Sequence, residues 1–332
     1  MNAFVGIDIS AKTFDVAIRK NNKITHRKVY KQTPEGHQAF IKNIAKTSPE
    51  LIVMEATGIY YLDLAVAIDD ADLPISVINP KSYKQFADLK LSSCKTDAED
   101  AALLAEFGQS IRPELWHAPS NEALALKDYS RYINRLTHRN TQAKNQLHAL
   151  SSTASTPDFI LDDIREEIIN TESRLEQLRK RALLLIKENV VLQRQFDCIT
   201  AAKGISDRTA ICLIGELNVL PKDMKAKQVA KYAGLSVRTT QSGTSINKPG
   251  RLNKAGNTYL RGALYMAAIS AGTHDENANA FKLALVGRGK KPMQAVCAIM
   301  RKYLMGVWAT IQTDTPFDSS KLFSEIHKKA CV

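Results

Sequence analysis

The first 120 residues alternate apolar and polar segments in an order that limits the possible folds. Apolar runs at residues 4–9, 14–18 and 24–30 predict three consecutive strands, with Asn21 and Asn22 at a position typical of a turn. The later segments predict a helix from Pro34 to about Lys46, a strand at 51–54, a helix near 60–71, a strand at 75–78, and helices after Lys81 and Asp97. This is the element order of an RNase H-like α/β domain, although several other α/β folds share it.

The rest of the chain is predicted to be mainly helical. Residues 121–150 read as one long helix whose basic residues recur mostly at four-residue steps and so share a face: Lys127, Arg131, Arg135, Arg139 and Lys144. After a small-polar break at 151–157, apolar residues between 161 and 185 follow steps of three and four, a heptad seam typical of a coiled coil. Such a helix can pair with the basic helix, mediate dimerisation or pack on its own domain.

These patterns divide the chain into four parts. We predict an α/β domain at 1–150 that ends in the basic helix, a coiled-coil helix at 157–195, a mainly α-helical C-terminal domain at 196–318, and a peripheral tail at 319–332. Within the C-terminal domain, a segment rich in Gly, Ser, Thr and Asn at 239–256 is predicted to be a loop, and a final helix is expected at 292–311.

Positive charge is concentrated in one part of the sequence. The chain has 46 Lys and Arg against 34 Asp and Glu, a net charge of +12. Between Lys222 and Lys302 there are 15 basic residues and three acids, so this segment carries 15 − 3 = +12 and the remainder is balanced. Such segregation favours a phosphate-binding surface, with a solvated basic face as the alternative.

The cysteines and the apolar segments indicate the compartment. The five cysteines are odd in number and have no C-x-x-C spacing, so they are predicted to be reduced thiols. No apolar stretch reaches about 18 residues and no signal-peptide pattern opens the chain. We therefore expect a cytoplasmic, nucleoid-associated protein that has no membrane partner.

Four acidic residues stand out from their surroundings. Asp8 lies inside an apolar run, where burying an unpaired charge would cost on the order of several kcal/mol. Glu55 ends a second apolar run, and if the two strands are neighbours the carboxylates repel each other unless a cation lies between them. Asp97 and Asp100 are three apart at the start of a predicted helix and so project from one face.

Four hard oxygen donors favour Mg²⁺, with Mn²⁺ as a substitute, over zinc. Each acid also has an ordinary structural interpretation. Asp97 can be an N-cap, Asp100 a first-turn acid, Glu55 a cap of the following helix, and Asp8 an isolated strand acid. Only the combination favours a metal site.

The motifs around these acids resemble a known family. The segments GIDIS with Asp8, MEATGIY with Glu55, VINP at 77–80 and KTDAEDAALLAEF with Asp97 and Asp100 are similar to those of DEDD-type, RuvC-like transposases of bacterial insertion sequences. That family includes Piv-type pilin-gene invertases and recombinases guided by a bridge RNA. The segments YAGL at 232–235, QSG at 241–243, NKAG at 253–256 and LRGALYM at 260–266 resemble its C-terminal transposase domain.

The resemblance implies the chemistry and the partners. It implies that the four acids bind magnesium, that Ser242 forms a covalent phosphoserine link to DNA, and that a non-coding bridge RNA selects the sites. A basic loop around Ser242 can hold the scissile phosphate of double-stranded donor or target DNA; its candidate contacts are Arg238, Lys248, Arg251, Lys254 and Arg261. A homodimer or homotetramer is expected, because two DNA duplexes must be brought together.

One motif departs from the family pattern. The family usually has Pro-Gly-Ile-Gly at a helix-hairpin-helix, whereas this chain has Lys203-Gly204-Ile205-Ser206. The following helix can still bind a phosphate through its N-terminal amides. Alternatively, Gly204 merely joins two packed helices.

Other functions use some of the same features. A structure-selective nuclease of the Holliday-junction type would use the four acids without a serine nucleophile. An actin-like kinase would need further glycine-rich phosphate loops, for which residues 287–289 are a poor candidate. A DNA-binding protein without catalysis would have no use for the complete set of acids.

Overall fold

The computed structural model describes residues 3–90, 96–242 and 246–323, with only the backbone described between 240 and 249. The chain divides into two compact units, with the boundary between Ala118 and Pro119. This boundary differs from the predicted domain end at residue 150, because the long basic helix packs within the second unit. No helix in the described ranges is long and apolar enough to cross a membrane.

The first unit is built on a five-stranded sheet whose strands are β1 (Ala3–Ile9), β2 (Thr13–Lys20), β3 (Lys23–Lys31), β4 (Pro49–Glu55) and β5 (Ile75–Ile78). Their order is β3-β2-β1-β4-β5. β2 is antiparallel to β1 and β3, whereas β1, β4 and β5 are mutually parallel. This is the arrangement of an RNase H-like sheet, and the five predicted strands are confirmed.

Four helices complete this unit: α1 (Pro34–Ala45), α2 (Leu62–Asp69), α3 (Pro80–Leu89) and α4 (Asp97–Ile111). Helix α1 begins as predicted, since the Thr33 side chain accepts a hydrogen bond from the Gly36 amide and Pro34 occupies the first turn. One face of the sheet packs on α1 through the aromatic cluster of Phe14, Tyr30 and Phe40.

Helix α4 covers the other face at very short range. A Cβ added at Gly6 of β1 would lie 2.0 Å from the Ala101 carbonyl oxygen, so glycine is what permits the helix to approach the strand this closely. The first turn of α4 is thereby held over β1. The sequence placed acids on both elements, and this contact brings the two elements together.

The second unit contains eight helices within its described residues: α5 (Asn121–Ser151), α6 (Asp158–Glu188), α7 (Val190–Thr200), α8 (Asp207–Leu217), α9 (Ala226–Tyr232), α10 (Thr258–His274), α11 (Glu276–Gly287) and α12 (Pro292–Thr313). A short 3-10 helix follows at Ser319–Lys321. All eight helices contribute buried residues to one large core, among them Leu126, Ile214, Leu264 and Tyr303.

The predicted heptad seam of α6 faces α5. The two helices form an antiparallel hairpin, bridged by Lys144–Glu172 at 2.6 Å and by a hydrogen bond from Arg174 to Tyr132. The apolar positions Ile164 and Ile168 are buried against α5. Of the alternatives that the sequence left open, pairing with the preceding basic helix is the one observed.

The segment predicted to be a loop at 239–256 is instead mostly a β-hairpin. Strands β6 (Val237–Ser242) and β7 (Ile246–Leu252) pair antiparallel. The loop prediction was wrong because it weighed glycine and serine content over the β-branched residues Val237, Thr239 and Thr240. The final helix, α12, confirms the helix predicted at 292–311.

Candidate active site

Two of the predicted acids lie on neighbouring parallel strands. β1 and β4 are in register with Ile7 opposite Met54, so Asp8 and Glu55 follow at the same end of adjacent strands. The Thr57 hydroxyl donates a hydrogen bond to Glu55 at 3.0 Å. Glu55 does not cap the following helix, because α2 begins only at Leu62 with Tyr61 as its N-cap.

The other two acids are in the first turn of α4. Thr96 is the N-cap, and its hydroxyl accepts a hydrogen bond from the Glu99 amide at 3.3 Å. Asp97 is therefore not the cap, which removes one of its structural interpretations. Both Asp97 and Asp100 are close enough to Asp8 to act on its charge.

The charge of Asp8 is poorly tolerated in its surroundings. Burial, together with the negative charges of Asp100 and Asp97, raises its pKa from 3.8 to about 6, although a hydrogen bond from the Ile9 amide acts in the opposite direction. Among the described side chains, no Lys, Arg or His forms an ion pair with any of the four acids. The negative charge gathered here has no cationic partner within the described protein.

The donor chemistry and the charge fit a divalent cation. Within the described ranges, however, no three His, Cys, Asp or Glu side chains converge as a finished ligand cluster. The four acids thus lie on the side of the sheet that α4 covers, but the described side chains do not by themselves form a metal-binding group. Metal binding at this site remains a prediction, and Asp8, Glu55, Asp97 and Asp100 are the residues that would hold the ion.

Two residues beside the acids were missed by sequence reasoning. Asp15 of β2 is the direct cross-strand partner of Asp8, and burial and the charge of Asp97 raise its pKa. Its signal was available, because it too is an acid within an apolar run. Tyr83 of α3 donates a hydrogen bond to Asp100 at 2.5 Å, and burial raises the pKa of its hydroxyl. That contact depends on packing that no local pattern reveals.

The basic positions of the second unit have different surroundings. The Arg131 guanidinium donates two hydrogen bonds, of 2.6 and 2.9 Å, to the fully buried Glu216, which also accepts one from Asn257 at 2.6 Å. Arg261 donates to the Ala233 carbonyl oxygen at 3.0 Å. These two guanidinium groups are occupied by protein partners.

The remaining residues of the basic face on α5 differ in burial and in their interaction partners. Lys127 is half-buried, and burial lowers its pKa. Lys144 pairs with Glu172, and the Arg135 guanidinium lies over the Tyr132 ring. Arg135 and Arg139 are exposed to solvent and lie outside the described ion pairs. Arg135 and Arg139 are therefore the residues of α5 that stay candidates for contact with nucleic acid.

The hairpin brings two arginines together. Arg238 of β6 is directly opposite Arg251 of β7, and both are exposed. Lys254 follows with a left-handed backbone, φ +54°, and an exposed side chain. Ser242 is the last residue of β6 and pairs through its backbone with Ile246. The side chains of Ser242 and Lys248 lie outside the described residues.

The turn between α7 and α8 is a close-packed joint. Gly204 has φ +92°, and a Cβ there would lie 2.6 Å from the Ala267 carbonyl oxygen of α10. The neighbouring Ile205 is buried. Ser206 caps α8 by accepting a hydrogen bond from the Thr209 amide. This geometry favours the interpretation that Gly204 joins two packed helices.

The cysteines and the tail are only partly described. Cys198 and Cys212 are buried free thiols and Cys297 is a partly exposed one, consistent with the predicted reduced state. Cys94 and Cys331 lie outside the described residues, as does the predicted tail beyond Phe323.

Family models identify the class of protein that this fold and site define. A DEDD transposase model, named after IS110, matches residues 5–153, and a model of the IS116/IS110/IS902 transposase family matches residues 197–282. Together they match more than half of the chain. The chain belongs to this transposase family, a class of DNA recombination enzymes.

Individual proteins with similar sequences align with nearly the whole chain. The pilin gene-inverting protein of Moraxella lacunata is 29% identical over 95% of this chain and 97% of its own length. The protein of the same name from Moraxella bovis is 28% identical over the same shares. Among solved structures, T. thermophilus RuvC in complex with a Holliday junction substrate overlaps 33% of this chain and 96% of its own, with 16% identity and a TM-score of 0.28.

Proposed function

We propose that this protein is a DNA transposase or site-specific recombinase that cuts and rejoins strands with the four acids and a serine nucleophile. The observation that carries the proposal is the gathering of Asp8, Asp97 and Asp100 on one sheet face without a cationic partner among the described residues. Carboxyl groups with strongly raised pKa values cluster at functional sites. Family membership supplies DNA as the substrate.

Within this proposal, Asp8, Glu55, Asp97 and Asp100 hold divalent magnesium, for which manganese can substitute. The bound ion would supply Lewis-acid stabilisation of charge on the phosphodiester oxygens. The protein's own contribution is to fix the carboxylates on rigid elements. Close packing of α4 on Gly6 holds Asp97 and Asp100 near β1.

Ser242 is the proposed nucleophile. Its hydroxyl oxygen would form a bond to the scissile phosphorus while the bond to the leaving strand's oxygen breaks, and the serine proton would pass to solvent. The second strand end would later attack the phosphoserine and release the serine. The position of Ser242 at the end of β6 supports this role, because the same hairpin carries the Arg238 and Arg251 pair.

That arginine pair also supports a polyanionic partner. Like charges directly opposite one another destabilise an antiparallel pair by about 0.2–1 kcal/mol. An anion between them would relieve the repulsion, and a DNA phosphate carries the required negative charge. Arg238, Arg251 and Lys254 are therefore the proposed phosphate contacts, with Lys248 beside them in sequence.

A bridge RNA and a dimer or tetramer complete the proposal. Exposed Arg135 and Arg139 on α5 offer a surface for RNA backbone contacts. An assembly of two or more copies would bring donor and target duplexes together. Fully active protein purified free of bound RNA would refute the guided version.

The test is formation of a covalent protein–DNA adduct. Purified protein, its co-purifying RNA and a labelled donor DNA are incubated with magnesium and resolved on denaturing gels. We expect an adduct that Ser242→Ala and Asp8→Ala abolish. Ser236→Ala, which removes a serine just before the same hairpin, is the matched control and should retain the adduct.

Two other results would redirect the proposal. Clean nicking without an adduct, unaffected by Ser242→Ala, would indicate a structure-selective nuclease that uses the same acids. Mixed Ser242→Ala and Asp8→Ala subunits test whether the acids and the serine of different copies cooperate. Failure of the mixture to recover any adduct would contradict a site shared between copies.

A further inference from the structure

Tyr83 connects a small hydrophobic cluster to the acidic site. Its ring packs against buried residues that include Phe4, Phe86 and Leu104. Its hydroxyl donates a hydrogen bond to Asp100 Oδ1 at 2.5 Å. Tyr83 lies on α3 and Asp100 on α4, so this bond joins two helices whose connecting residues 91–95 lie outside the described ranges.

The bond restricts Asp100 without neutralising it. A carboxylate has about four acceptor positions on its two oxygens, and Tyr83 occupies one of them. No other described side chain donates to Asp100. A lysine or arginine at position 83 would neutralise the Asp100 carboxylate, whereas the phenol of Tyr83 leaves its negative charge unchanged. No described side chain donates a hydrogen bond to the second oxygen, Oδ2.

We infer that Tyr83 is a positioning residue that orients the Asp100 carboxylate for a divalent cation. This inference rests on the proposed function, because it assumes that Asp100 is a metal ligand. Side chains that hydrogen-bond to metal ligands fix their rotamers, and their loss typically lowers metal affinity by about 10- to 100-fold. Without the hydroxyl, Asp100 can turn away from the other acids to reduce mutual repulsion.

A tyrosine hydroxyl elsewhere in the same unit provides a matched control. Tyr30 of β3 also packs its ring in an aromatic cluster, and its hydroxyl accepts a hydrogen bond from Asn43 at 3.3 Å. It lies on the sheet face covered by α1, opposite the face that carries Asp8. Tyr30→Phe therefore removes a tyrosine hydroxyl and its longer hydrogen bond without changing a contact of the acids.

The experiment is a calorimetric titration of the full-length protein with Mn²⁺ alone, in the absence of nucleic acid. We expect Tyr83→Phe to weaken Mn²⁺ binding about tenfold and Tyr30→Phe to leave it unchanged. Tyr83→Met, which also keeps apolar bulk without a hydroxyl, should weaken binding to a similar extent. Circular dichroism and melting temperatures of the metal-free proteins verify that each variant folds.

Several results would overturn the inference. Unchanged or tighter Mn²⁺ binding by folded Tyr83→Phe would show that the hydroxyl does not orient a ligand, as would an equal loss in Tyr30→Phe. Either result, with normal wild-type binding, leaves the proposed function intact. Wild-type protein that binds no Mn²⁺ at millimolar concentration would overturn the proposed metal site and this inference together.

Discussion

Replacing Asp8 with Asn should stabilise the metal-free protein. The rise in the pKa of Asp8 from 3.8 to about 6 measures the free energy that folding loses by holding this carboxylate ionised. At 1.36 kcal/mol per unit, the upper limit is about 3 kcal/mol. Because the side chain is partly exposed, solvent screening reduces this to about 1–2 kcal/mol. Asparagine keeps an oxygen that can accept the hydrogen bond from the Ile9 amide.

The effect has a defined pH dependence. A carboxyl whose folded pKa is raised favours the folded state when it is protonated, so the contribution of Asp8 to stability is fully present below pH 3.8 and is lost as pH rises through about 6. The advantage of Asp8→Asn should thus be full at pH 8 and vanish near pH 4. Magnesium should reverse the order at pH 8, since the cation stabilises only the protein that retains the carboxylate.

Urea denaturation in EDTA at pH 4 and pH 8, followed by thermal melts with added Mg²⁺, measures these differences. Asp88→Asn, a change at an exposed acid on α3, is the control and should show no such pH dependence. Equal stability of wild type and Asp8→Asn at pH 8, or an advantage that persists at pH 4, would refute the reasoning.

Three further predictions concern other residues. Arg131→Ala should cost about 3–5 kcal/mol in urea denaturation, since it leaves the buried Glu216 without its cation; an unchanged free energy of unfolding would contradict this role. Arg238→Gln with Arg251→Gln should lower the log–log salt slope of DNA binding by about two, with no loss of free-protein stability, and an unchanged slope would remove these contacts. Asp15→Asn should weaken Mn²⁺ binding, because it removes a negative charge beside Asp8, and unchanged affinity in calorimetry would exclude that contribution.

Local sequence patterns were sufficient to predict much of the fold of the first unit. The strand at 75–78 was predicted with the bounds of β5, and Thr33 caps the helix that it was predicted to open. Asp8 and Glu55 were identified because charges within apolar runs conflict with their surroundings. Such conflicts are visible in the sequence itself, since the cost of burying a charge depends on the immediate neighbours.

Contacts between distant segments could not be predicted in this way. The four-residue spacing correctly placed Lys127 and Arg131 on one face of α5, but it could not reveal that Glu216, 85 residues later, would accept the Arg131 guanidinium. Tyr83 was missed for the same reason. Its partner is 17 residues away on another helix, and nothing in the spacing distinguishes it from other partly buried tyrosines.

Helix α6 was predicted from the spacing of its apolar residues alone. The two family models match residues 5–153 and 197–282, so Asp158–Glu188 falls between them. Packing against α5 requires apolar residues in α6 at steps of three and four. Ile164 and Ile168 meet this requirement, and many other apolar residues would meet it equally well. Substituting Leu at these positions should therefore preserve the hairpin, whereas Gly6 of the first unit tolerates no side chain, because a Cβ there would lie 2.0 Å from the Ala101 carbonyl oxygen.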